Sequence, residues 1–305
     1  MKEIEIIIGY ECNNNCLFCS NQYLKQMAKK QGIKVDSEKI IERIPDNKGK
    51  DVNRLVFVGG EPTVVNDFFG IIKAAKGKGH RRISIMSNGR MLGNMSFCRK
   101  LLDEGIIDIG ISIHGHNAKI HDSLTRSPGS FRQTVQGMRN LNKLGRNFVT
   151  NTVINKKNYK ILPELVAFLT EYRPDLVLLT FPNPRGNAEK YFDEIVPAYS
   201  EAMPYVFKAL ALGKRIGQNV RTSEIPFCLM RGYEKNMQEP FFGKERRIIT
   251  HVFDDILYTP YSGRDKSKFE YCKACGYNAV CEGIWTNYIK LRGFKEFVSL
   301  NREKR

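Results

Sequence analysis

The sequence predicts an α/β chain built on a parallel sheet, followed by a small region organised by metal. Three observations lead there. Short β-rich runs recur about every 30 residues over the first two hundred positions, with helical stretches between them. The runs are continuously apolar, as strands covered on both faces are. Polar, glycine and cysteine residues cluster just after the runs, at the strand ends that carry the site in α/β barrels.

The elements follow in order. Residues 4–8 form the first strand by their β-branched content, and residues 37–44 a helix stopped by Pro45. The second strand, residues 55–58, runs straight into Gly59-Gly60-Glu61-Pro62, and a helix covers residues 68–78. The third strand, residues 83–86, ends at Ser87-Asn88-Gly89, and the helix at 97–104 is closed by Gly105. The fourth strand, residues 109–113, ends at His114-Gly115 and precedes a helix at 129–144. The fifth strand spans 148–154, a helix 162–171 and the sixth strand 176–180. Residues 191–212 read as mostly helical, after which the rhythm stops in a loop-rich stretch, 221–288, that holds the late cysteines. The expected division is a barrel at 1–215 and a metal-organised domain at 216–305.

With 305 residues, 42% hydrophobic and 27% charged, the chain reads as globular and large enough to bury about 75% of its extended surface. No apolar run approaches the roughly 18 residues of a membrane span, and the N-terminus lacks the apolar region of a signal peptide, which points to the cytoplasm. Lys and Arg outnumber Asp and Glu by 49 to 32, a net +17 that favours anionic partners. The excess is spread along the chain, as in a solvated basic surface, so nucleic acid is an unfavoured partner.

The eight cysteines fall into a triplet, a lone Cys98 and a late group of four. Cys12, Cys16 and Cys19 stand at C-x3-C-x2-C directly after the first strand, with Phe18 before the third. Three thiolates at this spacing can hold three corners of a cubane iron–sulfur cluster, which normally takes four, and the open iron is left for a ligand. A zinc knuckle is the alternative. Cys228 and the C-x2-C-x5-C run of Cys272, Cys275 and Cys281 make a closed set of four thiolates, for one cubane cluster or one zinc. Cys98, inside a helical pattern, reads as a small buried hydrophobe, and Trp285 with Tyr288 as packing for the metal region.

The triplet with its aromatic, followed after the second strand by Gly59-Gly60-Glu61-Pro62, resembles the radical S-adenosylmethionine (radical SAM) superfamily. The segment His121-Asp122-Ser123-Leu124-Thr125-Arg126, followed by Gly129-Ser130-Phe131, is similar to its SPASM/Twitch subgroup. The resemblance implies a partial (β/α)6 TIM-like barrel with a small C-terminal Twitch-like iron–sulfur domain. It implies two [4Fe–4S] clusters, one binding SAM and one auxiliary, since the cysteines are too few for a second auxiliary cluster. It implies SAM contacts at Phe18, Gly59, Gly60, Glu61, Pro62, Ser87, Asn88, Ser112 and His114, with Asn151 a further candidate. Glu61 meets the SAM ammonium and Arg126 the SAM carboxylate, unless Arg126 serves a structural ion pair. The implied chemistry is reductive cleavage of SAM to a 5′-deoxyadenosyl radical that takes a hydrogen atom from a substrate, with electrons from flavodoxin or ferredoxin. No catalytic residue beyond the cofactors is expected, except Cys228 as hydrogen donor if it is not a ligand.

For the substrate, the first strand lies close to Met1 and leaves no room for a fused leader-recognition domain. This favours small-molecule oxidation or epimerisation slightly over modification of a ribosomally made peptide brought by a partner. A zinc protein binding nucleic acid is the alternative of another class. It accounts for the charge but not for the open triplet joined to Gly59-Gly60-Glu61-Pro62.

Overall fold

The computed structural model describes residues 2–49, 52–239, 245–249, 256–258 and 265–297; the basic tail at 302–305 lies outside the described residues. Seven strands, β1 (Lys2–Ile7), β2 (Val52–Val58), β3 (Ile83–Ser87), β4 (Ile106–Ser112), β5 (Val149–Val153), β6 (Leu176–Thr180) and β7 (Val220–Ser223), pair in sequence order. Every pairing among them is parallel. On its other edge β1 pairs in parallel with β8 (Glu245–Ile249), and β8 pairs antiparallel with β9 (Ile256–Tyr258). Because β1 to β7 run the same way, the loops leaving their C-terminal ends all gather on one edge. No ladder joins β7 to β9 among the described residues, so the sheet is a barrel left open.

The helices cover its outside: α1 (Gln22–Lys30), α2 (Ser37–Arg43), α3 (Phe68–Gly77), α4 (Met95–Asp103), α5 (Ala118–Thr125), α6 (Ser130–Lys143) and α7 (Leu162–Thr170). Two single turns, α8 (Asn187–Lys190) and α9 (Phe192–Ile195), lead into α10 (Tyr199–Ile216), which carries Pro204 within it. The apolar faces meet in one core, with Ile6, Leu55, Phe57, Ile71, Ile111, Leu165 and Leu179 fully buried. Cys98 is buried among them as expected. No described helix is long and apolar enough to cross a membrane.

The six expected strands and the helices between them are present. Residues 191–212 are mostly helical as expected, with the break at Pro197: α9 stops before it, and its predecessor Val196 is extended. Helices α1, α5 and α8 and strands β7, β8 and β9 are additions to the sequence reading. The expected division at 215/216 falls at the end of α10, and β7 beyond it continues the large sheet.

The C-terminal segment is built from a two-stranded ladder, β10 (Lys266–Ser267) with β11 (Ile284–Trp285), and from α11 (Thr286–Arg292). It is anchored on the barrel by an aromatic cluster. Tyr288, fully buried, packs against Phe181, Phe192, Tyr199 and Phe297 with ring centroids 5.0–6.1 Å apart. Phe181 and Tyr199 stack at 3.6 Å. Tyr288 therefore packs the seam with the barrel, and Trp285, in β11, is packed against the core and shares a cleft with Asn183 and Arg185 after β6.

Candidate active site

The loop leaving β1 carries the three cysteines across the open edge of the barrel, and backbone contacts hold it there. Gly60 N–H donates to the Gly9 carbonyl at 2.9 Å and Glu61 N–H to the Glu11 carbonyl at 2.8 Å. The two chains cross so closely that a Cβ on Gly59 would stand 2.4 Å from Gly9 O, and one on Gly60 2.1 Å from Glu11 O. Only glycine fits this approach.

The triplet Asn13-Asn14-Asn15 between the first two cysteines is held from two sides. Arg90 donates to the Asn13 carbonyl and, at 2.9 Å, to Asn14 Oδ1. Arg126, its backbone left-handed at φ 50°, donates to both Asn15 O and Asn15 Oδ1 at 2.6 Å. Asn15 N–H and Leu17 N–H donate to the carbonyls of Thr125 and Leu124, each at 2.9 Å. Behind the loop, Asn187 donates to Cys16 O (2.8 Å) and its N–H to Cys19 O (3.0 Å). Gly186, at φ 59°, lies so close that a Cβ there would be 2.8 Å from Cys19 O.

Cys12, Cys16 and Cys19 line one cavity of about 310 Å³ together with Phe18, Gly59, Gly60, Glu61, Ser87, Asn88, Ser112, His114 and Asn151. The structure thus brings most of the expected contacts together, from β3, β4 and β5 and from the loops after β1 to β4. Pro62 is buried and opens the short turn Pro62–Val64 beneath the rim. Arg126 stands outside the cavity lining, committed to Asn15.

Glu61 is fully enclosed. Its Oε1 accepts from Thr63 N (3.2 Å), Thr63 Oγ1 (2.6 Å) and Ser87 Oγ (2.7 Å), and its Oε2 from Asn88 N (2.6 Å). Burial pushes its pKa up, and these donors oppose the shift. Ser87 and Asn88 therefore serve Glu61 and the loop. Asn88 Nδ2 also donates to Asn13 Oδ1 (2.6 Å) and lies 3.9 Å from Cys12 Sγ. Asn151 Oδ1 accepts from Thr180 Oγ1 at 2.6 Å.

Phe18 packs edge-on against His114, with ring centroids 4.5 Å apart. His114 is buried, and burial holds its pKa well below the usual histidine value, so the ring is neutral. Its Nδ1 accepts from Val153 N–H at 3.3 Å, which leaves the proton on Nε2.

Asp122 accounts for the second motif segment. It accepts from Gly129 N (2.8 Å), Ser130 Oγ (2.8 Å) and Phe131 N (2.7 Å), and so caps α6. Partial burial raises its pKa, but donors from Phe131, Ser130 and Gly129 outweigh burial and hold it below the usual carboxylate value.

The chemistry of the donor set fits a metal cluster. All eight cysteines are free of disulfides. Burial pushes the Cys12 thiol up to about 11 and raises Cys16 and Cys19, with the neighbouring thiols adding to the shift at Cys16. Three thiols, Cys12 exposed and Cys16 and Cys19 half-buried, gathered on one cavity would take their thiolate form with a cation between them. Backbone N–H groups of Asn14, Asn21 and Gln22 are turned toward the sulfurs of Cys12 and Cys19. Among the described residues no three His, Cys, Asp or Glu side chains are gathered tightly enough for a single metal ion.

Cys228, Cys272, Cys275 and Cys281 line a second, smaller cavity, walled mainly by Phe227, Phe269, Tyr271, Ile284 and Phe297. Phe269 N–H lies 3.4 Å from Cys272 Sγ, and Cys281 receives the N–H groups of Phe227 and Gly283. Sequence reasoning missed Arg90, Gly186 and Asn187. The last two stand just after the sixth strand, and their place on the rim was the available signal.

Comparison with known proteins agrees with this geometry. The Radical SAM superfamily model matches residues 6–169, more than half of the chain. The AdoMet-dependent heme synthase of Methanosarcina barkeri is 26% identical over 300 residues, 93% of this chain and 83% of that protein. The mycofactocin maturase MftC of Mycolicibacterium smegmatis is 26% identical over 210 residues, 68% of this chain and 52% of its own. Among solved structures, SuiB of Streptococcus suis bound to S-adenosylmethionine superposes with a TM-score of 0.67 at 16% identity, covering 99% of this chain and 76% of that one. The open barrel has the fold of that structure, and the chain belongs to the radical SAM superfamily.

Proposed function

We propose that this radical SAM enzyme modifies a peptide, with one [4Fe–4S] cluster on Cys12, Cys16 and Cys19 and a second on Cys228, Cys272, Cys275 and Cys281. The observation that carries the two-cluster reading is the four cysteines lining one largely apolar cavity beside the barrel. The peptide reading draws on MftC, a maturase, and on SuiB, a structure of which holds its precursor peptide SuiA and matches 97% of this chain in fold. The AdoMet-dependent heme synthase, matched over 93% of the chain, favours a second reading, oxidation of a small molecule.

When bound, the first cluster and SAM supply a 5′-deoxyadenosyl radical that takes a hydrogen atom from the substrate. The chain's own residues hold and shield. Glu61 Oε2 accepts a hydrogen bond from Asn88 N, and a carboxylate oxygen has capacity for another, so it can also receive the SAM ammonium. Ser112, His114 and Asn151 offer polar atoms to SAM from the same cavity. The commitment of Arg126 to Asn15 favours a loop-holding role over contact with the SAM carboxylate. An electron donor such as flavodoxin or ferredoxin completes the reading.

The test is anaerobic reconstitution followed by turnover with SAM, reductant and deuterated candidate peptides. Two clusters give about eight irons per chain, and deuterium appears in 5′-deoxyadenosine. Cys16→Ala abolishes SAM cleavage, while Cys275→Ala leaves uncoupled cleavage. Normal 5′-deoxyadenosine formation by Cys16→Ala would overturn the reading of the first site, and label transfer only from non-peptide compounds the peptide reading.

A further inference from the structure

A groove of about 610 Å³, larger than the cysteine cavity, lies between the loops after β1 and β2 and the segment that runs from α1 into α2. Tyr10 and Lys25 are walls of both cavities, so the groove adjoins the site. We infer that it binds an acidic segment of the substrate peptide in extended form, with an apolar side chain on the floor and carboxylates on the rim. In its biological meaning the inference rests on the peptide reading above.

The floor is apolar. Ile8 and Ala28 are buried beneath it, and Ile33, Val35, Val64 and Val65 are half-buried, so part of their surface is open to a ligand. The rim carries Lys25, Lys29 and Lys34 against two acids, Glu11 and Asp36. Both acids are already engaged. Glu11 Oε2 accepts from Lys25 Nζ at 3.1 Å, and Asp36 caps α2 by accepting from Lys39 N–H at 2.9 Å. Among the described residues neither Lys29 nor Lys34 is in an ion pair, and both are exposed. Lys29 stands in the last turn of α1, where a cation suits the carbonyl end of the helix. Lys34 lies beyond the helix and has no such use.

The loop that carries Lys34 is held in shape. Gln31 N–H donates to Met27 O at 3.0 Å and Ile33 N–H to Ala28 O at 2.9 Å, and Lys39 Nζ donates to Lys34 O at 3.3 Å. Rim and floor are therefore set before a ligand arrives.

This pairing of surfaces selects the ligand. A lone phosphate or carboxylate uses the rim and leaves the floor wet. A single-stranded nucleic acid stacks its bases on aromatic rings, and Tyr10 is the one ring in the groove. The convex face of an acidic protein meets the lysines but not the floor between them. An extended peptide turns successive side chains to opposite sides, so an acidic–apolar–acidic run meets both. The volume falls in the range of about 300–1,000 Å³ typical of ligand sites. A segment held here brings the residues next to it toward the cysteine cavity, past Tyr10 and Lys25.

The probes are three fluorescent hexapeptides that alternate glutamate with leucine, glutamine with leucine, and glutamate with glycine, read by anisotropy on the reconstituted holoenzyme. The glutamate–leucine peptide is expected to bind saturably. The other two should bind about tenfold more weakly, since an exposed ion pair is worth up to about fivefold. Lys29→Glu with Lys34→Glu should erase the preference for glutamate over glutamine and leave SAM cleavage with a chemical reductant unchanged. Lys119→Glu with Lys143→Glu makes the same change of net charge at exposed positions outside the groove and should keep the preference. Equal loss in both double variants would reduce the effect to the overall charge of the chain and overturn the inference, as would no loss in either. Lys29→Gln with Lys34→Gln guards against a distorted loop, and a full preference in that variant also refutes the groove. If the Lys29 and Lys34 variants bind the peptide normally but slow reduction by an acidic protein donor, the groove serves the donor and the inference fails. If the acidic peptide binds as expected but no peptide is ever modified, the peptide reading fails and the groove stands.

Discussion

Gly60 has no room for a methyl group, because a Cβ there meets the Glu11 carbonyl carbon at 2.7 Å as well as its oxygen at 2.1 Å. Both are backbone atoms, so no side chain can turn aside. Gly60→Ala should destabilise the fold by about 1–3 kcal/mol and lower the iron bound after reconstitution, read by chemical denaturation and iron analysis. Glu239 makes a different case. Burial, with the nearby charge of Glu224 adding to it, raises its pKa to about 7 from 4.5. An acid whose pKa is raised on folding contributes most below its unfolded value and loses that contribution as pH rises through the folded one. Stability should therefore fall between about pH 4.5 and pH 7, by up to about 3 kcal/mol at this site. Glu239→Gln should flatten that part of the pH–stability curve in denaturant melts. At this scale the sequence reading gave each residue a single role. Ser87 and Asn88 read as SAM contacts, and the structure gives their donors first to Glu61, because a buried carboxylate needs them.

The cysteine loop is an element without regular structure, and two arginines take the place of a ladder. Arg126 sets Nε and Nη2 on the two oxygens of Asn15, and Arg90 sets Nη1 on Asn13 O and Asn14 Oδ1 while its Nε holds Gln133 Oε1, so each guanidinium works as a fork. A lysine cannot reproduce that fork. Arg90→Lys should therefore fold but retain less iron than the parent chain through desalting, while its far-ultraviolet circular dichroism stays the same. The α6 cap is a second element-scale test. Asp122→Ala removes the acceptor for Gly129 and Phe131 N–H and should cost about 1 kcal/mol, read as a lower denaturation midpoint. Because the folded pKa of Asp122 lies below its usual value of 3.8, its contribution is present above that pH and is lost as the medium turns more acidic. Helix α1 escaped the sequence reading although Tyr23, Leu24, Met27 and Ala28 recur at helical spacing, because at nine residues it is short and stands next to a dominant cysteine signal. Strand β7 is too short, at four residues, to show a period.

Across the whole molecule, the C-terminal segment depends on the barrel for its anchorage. Tyr288 Oη donates to Glu296 Oε2 and accepts the Tyr199 N–H at 3.3 Å, at the centre of the aromatic seam. Tyr288→Ala should destabilise the chain by about 3–5 kcal/mol, seen as a lower melting temperature, and should loosen iron at the late cysteines before the first three. The sequence by itself determined the βα rhythm, the strand-end placement of the motifs and the two groups of cysteines. Those features depend on local periodicity and on side-chain chemistry, which neighbours in sequence express. Only the tertiary structure decided that Arg126 grips Asn15 outside the cavity, that Arg90, Gly186 and Asn187 complete the hold on the cysteine loop, and that β7 and β8 extend the sheet at both ends. It also decided that Asn183 and Trp285, about a hundred residues apart, share one cleft. These are contacts between distant segments, selected by the packing of the open barrel, and no local pattern encodes them.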